Sequence, residues 1–513
     1  MPNLGPTIRS YDPGNGEFLG EVPLCGPEQA HAAVAAARAA LPGWRELGYE
    51  GRRKALLGLR DKLRDDHRGI AGLLSRENGK PLPDALTEVL SACEFLAYYA
   101  ANAAKFLRDR RIQVPNPVMR NAKTFLTYQP KGVVGVITPW NYPLLLSMSS
   151  IAAALAAGNT VVHKPSEWTP LLAERLDRLA QEALPPGVLG LLTGDGSTGA
   201  ALLETKLDHV CFTGSVATGI AVARRAAEKL ITVTLELGGK DAAVIMPDAD
   251  LDFTARGVVW AAFSNAGQAC ASIERLYVPR SLMLGLTERI LRRVEALSVG
   301  HGLDPGVEVG PIINERQLAR IDEQVKDAIA KGATVLLGGH RLDHEGTYYA
   351  PTVITDVTPA MLLMQEETFG PVLPLIPVDT VEEAIRLAND SPFGLNATVW
   401  GSDLQAAERV ARRLEAGTVW VNTGMDTYGV PQTPRGGFKL SGLGKVGGEA
   451  GLLELVESQL IDMNRSGRVR PFWYPAGRGL SDFFSGSLMA LHGGSLRARL
   501  EGALSLLRHF PRN

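Results

Sequence analysis

The pattern of apolar and polar positions divides the chain into four stretches of different character. Residues 7–22 read as a short hairpin folded about the turn Asp12-Pro13-Gly14-Asn15-Gly16. Pro27 falls in the first turn of a helix that continues as the Ala-rich run Ala30–Leu41, which Pro42-Gly43 is expected to end. Leu and Ala then recur at helical spacing near 50–66, 67–77 and 84–108, with a break at Pro81 and Pro83. This stretch reads as packing helices that carry no chemistry. From Ile112 to Lys131 the pattern changes, and Lys123–Gln129 reads as an exposed strand. Its edge either pairs with another chain or is covered by its own.

Residues 133–246 alternate strand and helix. The apolar, β-branched runs Val133–Ile137, Thr160–His163, Val188–Leu192, Val210–Thr213 and Thr232–Glu236 predict strands. Between them, Leu144–Ala157, Leu171–Ala183, Gly199–Leu203 and Val216–Lys229 predict helices. This order implies a mainly parallel sheet, wound right-handed, with a ligand crevice at the strands' carboxyl ends. A second α/β pattern runs from 247 to about 440, opening with the helix Leu251–Ser264.

Bulk composition narrows the class. A chain of 513 residues divides into two or three domains. With 45% hydrophobic and 21% charged residues and a net charge of −2, it has no basic excess suited to nucleic acid. Cys25, Cys93, Cys211 and Cys270 are widely spaced, and the nine His show no ligand spacing, so neither a disulfide framework nor a metal site is expected. No signal sequence opens the chain, and a cytoplasmic setting is expected.

The candidate chemistry centres on Cys270, which ends Phe263-Ser264-Asn265-Ala266-Gly267-Gln268-Ala269-Cys270. Glu236, 34 residues earlier, opens Glu236-Leu237-Gly238-Gly239-Lys240. A thiolate attacks carbonyls, and a carboxylate shielded from water can take a proton from a water molecule. These two roles suffice to make and hydrolyse a thioester. No His lies near Cys270 in sequence to form a Cys–His pair. Asn141, in Pro139-Trp140-Asn141-Tyr142-Pro143, offers a side-chain amide to an oxyanion, with the Cys270 N–H as second donor. The dinucleotide fingerprint GxGxxG is missing. In its place Gly214 permits a tight turn, and Ser215 can cap a helix whose amides attract a pyrophosphate. Lys164 and Glu167, at the end of an earlier strand, suit an adenosine ribose, and Glu167 should repel a 2′-phosphate, favouring NAD over NADP.

At these residues, and from about Ile8 to Leu460, the chain resembles the NAD(P)-dependent aldehyde dehydrogenase superfamily. The resemblance implies an α/β fold with a Rossmann-type coenzyme domain (1–111 and 133–246) and a catalytic domain (247–445). It also implies a β-hairpin oligomerisation arm (112–132 and 446–466), leaving 467–513 as an extension. It further implies Cys270 as nucleophile, Glu236 as base and Asn141 as oxyanion donor. Coenzyme contacts would come from Thr138, Pro139, Trp140, Lys164, Glu167, Gly214, Ser215 and Leu237. In Glu366-Glu367-Thr368-Phe369-Gly370-Pro371, Glu367 would hold the nicotinamide ribose and Phe369 would lie against the ring. Relatives that pass the acyl group to coenzyme A lack the equivalent of Glu236, so hydrolysis is expected.

The substrate mouth is expected to hold Tyr142, Leu145, Ser149, Ala269 and Ala271, which suits an aliphatic or aromatic aldehyde. Arg435 stands where many relatives have Phe, and the alternatives are a surface salt bridge or a clasp on a substrate carboxylate. The second role would fit a succinate-semialdehyde dehydrogenase, the branch that Tyr128–Val136 and Ser272-Ile273-Glu274-Arg275 most resemble. A homo-oligomer, dimer or tetramer, is implied. A catalytically retired scaffold of the same fold is the remote alternative.

The extension carries two apolar stripes at helical spacing, Leu480 to Leu491 and Leu496 to Leu507. Its seven Arg against Asp482 and Glu501 give a local charge of +5. Docking on its own subunit or a neighbour is the favoured reading, and contact with an anionic membrane surface the alternative.

Overall fold

The computed structural model describes residues 6–114, 122–465, 467, 473–474 and 479–509. They fall into two compact units, one of 1–107 with 130–457, the other of 108–129 with 458–513.

The first unit opens with Thr7–Tyr11 paired antiparallel to Phe18–Pro23, as the turn signal predicts. The first helix runs Pro27–Glu46, straight through Pro42, so the expected stop at Pro42-Gly43 is corrected. Pro42 lies in the closing turns of the helix, and burial of Leu41 and Trp44 on either side of it holds the helix together. Helices Gly48–Asp65, His67–Asn78 and Leu82–Phe106 follow at the positions the periodicity indicates.

Two sheets carry the site. The strands of the six-stranded sheet lie in the order Gly442–Leu443, Thr232–Glu236, His209–Thr213, Val133–Ile137, Thr160–Lys164, Leu189–Leu191. All its pairings are parallel except that of Gly442–Leu443. The chain moves outward from Val133–Ile137 through two strands, then returns to place His209–Thr213 on the other side. That reversal opens a crevice at the carboxyl ends of these two strands. The seven-stranded sheet is built from Asp241–Ile245, Ile273–Pro279, Thr334–Leu337, Thr352–Thr355, Val372–Val378, Asn396–Trp400 and Thr418–Val421. Its core is closed by the helix Leu251–Phe263, whose Val258, Ala262 and Phe263 are buried beside Ile273 and Leu276. The helix Pro143–Ala157 is buried along its whole length.

In the second unit, Arg110–Ile112, Ala122–Pro130 and Val456–Asn464 form a three-stranded sheet with Ala122–Pro130 in the middle. Helices Leu480–His492 and Leu496–Arg508 follow, matching the two apolar stripes.

Candidate active site

The thiol is presented by a strained loop. After the helix Leu251–Phe263, Asn265, Ala266 and Gly267 all take left-handed backbone angles, with φ of 51°, 55° and 69°. Only Gly fits the third position, because a Cβ there would lie 2.1 Å from the Gly370 carbonyl oxygen. The loop is thereby pressed onto the Glu366–Pro371 segment. Gln268 pins it further: its amide donates to the carbonyls of Asn265 and Pro311, and its oxygen accepts from the Ile313 N–H at 2.9 Å. The Cys270 Sγ lies 2.9 Å from the Tyr428 hydroxyl. Burial drives the thiol well above its ordinary pKa; the Tyr428 hydrogen bond opposes this, and the carboxylates of Glu236, Asp241 and Glu367 add to it. The thiol of the isolated protein is therefore protonated at neutral pH.

Asn141 is fixed from below. Its carbonyl accepts from Lys80 Nζ at 2.7 Å and from Asn265 Nδ2 at 3.1 Å, which ties the Pro139–Pro143 turn directly to the thiol loop. Lys80 also binds Glu88 at 2.6 Å, with both side chains fully buried. Glu88 in turn accepts the Leu144 and Leu145 N–H groups, satisfying the first turn of the helix Pro143–Ala157. The stretch expected to carry no chemistry thus supplies the ion pair that positions Asn141, and Asp84, Glu88 and Glu94 line the thiol pocket.

Glu236 ends its strand with a side chain only 3% exposed, and neither carboxylate oxygen has a hydrogen-bond partner among the described residues. Its nearest charge is Arg435 Nε at 3.5 Å. Gly239 lets this segment approach the thiol loop, since a Cβ there would stand 3.1 Å from the Cys270 carbonyl. Arg435 is itself 3% exposed, donates to the Tyr428 carbonyl at 2.9 Å and stacks on the rings of Tyr428 and Phe95. It is not a surface residue, and it does not line the pocket that holds Cys270. Ser149, also expected at the mouth, is buried and donates to the Leu146 carbonyl. Tyr142, Leu145, Ala269 and Ala271 do line the pocket, a cavity of about 460 Å³ that also takes in Trp260, Met425, Tyr428 and Val430.

The crevice residues gather at the switch point of the six-stranded sheet. Ser215 caps the helix Val216–Ala227 through the Thr218 N–H, and Gly214 donates to the Glu236 carbonyl at 3.0 Å. Lys164 Nζ lies 3.8 Å from Glu167 at the end of Thr160–Lys164, on the far side of Val133–Ile137. Leu237 is buried beneath this helix, where Gly219 leaves room for it. The Thr138 hydroxyl is buried between Ser147 and His163, and Trp140 meets Phe369 edge-on at 5.4 Å. Glu367 accepts from the Gly239 N–H at 3.0 Å; burial, with Glu274 nearby, pushes its carboxyl up to about 7. Glu274 was missed in sequence: it accepts from the Thr368 and Phe369 N–H groups and pairs with Lys240, which holds Phe369 at its positive φ of 54°. An open helix N-terminus, a Lys–Glu pair and a paired Trp and Phe at one crevice make a donor set that fits a dinucleotide.

The aldehyde dehydrogenase family model matches residues 2–461. The chain belongs to the aldehyde dehydrogenase family. Among its relatives is a probable succinate-semialdehyde dehydrogenase [NADP(+)] of Sinorhizobium fredii, 38% identical, the match covering 88% of this chain and 91% of that one. A 4,4'-diapolycopene aldehyde oxidase of Methylomonas sp is also 38% identical, over 95% of this chain and 92% of that one. The crystal structure of an NAD-dependent aldehyde dehydrogenase from Sinorhizobium meliloti superposes with a TM-score of 0.88 at 36% identity, covering 92% and 94% of the two chains. The two α/β sheets described above are those of the aldehyde dehydrogenase fold.

Proposed function

We propose that this aldehyde dehydrogenase oxidises a neutral aliphatic or aromatic aldehyde to its acid through a thioester on Cys270, which water activated by Glu236 then hydrolyses. The observation that carries it is the buried Glu236 carboxylate, which has no hydrogen-bond partner among the described residues and ends the strand whose following Gly239 lies against the Cys270 carbonyl. Such a group demands a partner, and a water molecule between it and the acyl carbon fills that need.

The Cys270 Sγ adds to the aldehyde carbon, and its proton passes to Glu236, which releases it to solvent before the hydrolytic step. Asn141, with the Cys270 N–H, stabilises the oxyanion. When bound, NAD(P) supplies the hydride acceptor. Lys164, Glu167, Ser215, Glu367 and Phe369 are the residues that would hold it. Loss of hydride from the substrate carbon leaves a thioester, Glu236 takes a proton from water, the hydroxyl oxygen bonds to the acyl carbon, and the C–S bond breaks to release the acid. Arg435, 3.5 Å away, is the cation that faces the Glu236 carboxylate through both tasks. Glu167 beside Lys164 supports NAD over NADP.

Among the described residues no Lys or Arg lines the 460 Å³ cavity, while Asp84, Glu94 and Asp426 do, which speaks against an anionic substrate. The names of relatives favour succinate semialdehyde as a second reading, with Arg435 on its carboxylate. A ratio of kcat/KM for hexanal over succinate semialdehyde well above one, in wild type and in Arg435→Leu alike, is expected; a preference for the semialdehyde that Arg435→Leu erases would reverse the assignment. The three-stranded sheet ends on Val456–Asn464, whose residues 457–460 are exposed, and this open edge supports a homo-oligomer, dimer or tetramer. Four free thiols fit a cytoplasmic setting.

A further inference from the structure

The C-terminal hairpin is built inside out. Helices Leu480–His492 and Leu496–Arg508 pack on each other through small residues. A Cβ on Gly502 would fall 2.4 Å from the Ala490 nitrogen, and one on Gly486 would fall 2.8 Å from the Leu506 nitrogen. The two backbones therefore touch, with Phe483 buried near the crossing. The large side chains point away: Leu488, Leu491, Leu496, Leu500, Leu504 and Leu507 are each between 55% and 76% exposed. A hairpin made for water does the opposite, burying leucines in the seam. Small residues in the seam with leucines outside is how helices pack where the surroundings are themselves apolar.

Three further observations identify those surroundings. Each helix has 13 residues, about 20 Å of rise, short of the roughly 30 Å hydrocarbon core, so the hairpin can lie in a leaflet and cannot cross. Trp473 and Tyr474, just before it, are 50% and 95% exposed, the residue types that favour the headgroup level. In sequence the extension carries seven Arg against two acidic residues, a net positive charge that suits an anionic surface and repels a second copy of itself.

We propose that this hairpin is a monotopic anchor that lays the enzyme on an anionic lipid bilayer. The inference goes beyond the oxidation chemistry and stands without it. The test is flotation of the full chain with vesicles of phosphatidylcholine alone or mixed with phosphatidylglycerol, alongside Leu500→Glu/Leu504→Glu and Arg497→Gln/Arg499→Gln/Arg508→Gln variants. Wild type should float with the anionic vesicles and little with the neutral ones. The Leu pair should lose binding at least about tenfold, and the Arg set about fivefold per charge removed. Both variants should keep wild-type NADH production from a soluble aldehyde, which shows that they fold. Wild type left unfloated by either vesicle overturns the proposal, as does a Leu variant that floats like wild type. Equal flotation on both compositions overturns the anionic preference. An oligomer in sedimentation that the Leu pair splits, with no flotation, assigns the face to a second copy instead.

Discussion

Two apolar regions of this molecule meet opposite fates. The helix Pro143–Ala157 is buried on every side, locked by Glu88 at its first turn and by Trp44, whose ring nitrogen donates to the Leu155 carbonyl. The helices of the C-terminal hairpin are also rich in Leu, Phe and Met, yet carry most of those side chains in the open. Apolar composition says that a helix must be covered, not by what. In the first case the protein itself is the cover, and the helix repays it by fixing the Asn141 turn. In the second no described part of the chain covers the leucines.

Substitutions sharpen this contrast, beginning with the chemistry that the buried helix supports. Cys270→Ala should lower aldehyde oxidation by on the order of 10⁴-fold or more, read as initial NADH formation, with an unchanged melting curve. Lys80→Met strands the Glu88 carboxylate inside and should cost about 3–5 kcal/mol in chemical denaturation. Leu155→Ala, at a position with no exposed surface, should cost about 2–5 kcal/mol. Leu504→Ala in the hairpin should change solution stability by less than about 0.5 kcal/mol. Comparable losses at Leu155 and Leu504 would mean that the hairpin is packed like the core. A separate prediction concerns pH: because burial holds the Cys270 thiol protonated, its iodoacetamide reaction without coenzyme should quicken about tenfold per pH unit from about pH 7 to 9 with no plateau. A plateau below pH 8 would show a thiolate already formed.

What the sequence discloses follows distance along the chain. The thiol loop, the Glu236 strand end and the Glu366–Pro371 segment are local motifs, and alternating strands and helices signal a mainly parallel sheet, though not its strand order. Groups that meet only through folding were hidden. Lys80 lies 61 residues from Asn141, and Cys270 lies 158 from Tyr428. A Lys two residues before a Pro-marked helix start reads as surface, and its complete burial with Glu88 depends on tertiary packing. Arg435 was visible as an oddity, yet whether it faced solvent, substrate or Glu236 depended on where the segment before Val446 folds back; its backbone pairs with Val446. Pro42 shows the reverse, a local stop signal overridden by packing of its neighbours.

The most direct measurement is rapid mixing of Glu236→Gln with an aldehyde and NAD while NADH is recorded. A burst approaching one NADH per Cys270, followed by turnover at least about 10²-fold slower than wild type, is the predicted result. Wild-type steady turnover, or slow turnover with no burst at all, would contradict the assignment of thioester hydrolysis to Glu236.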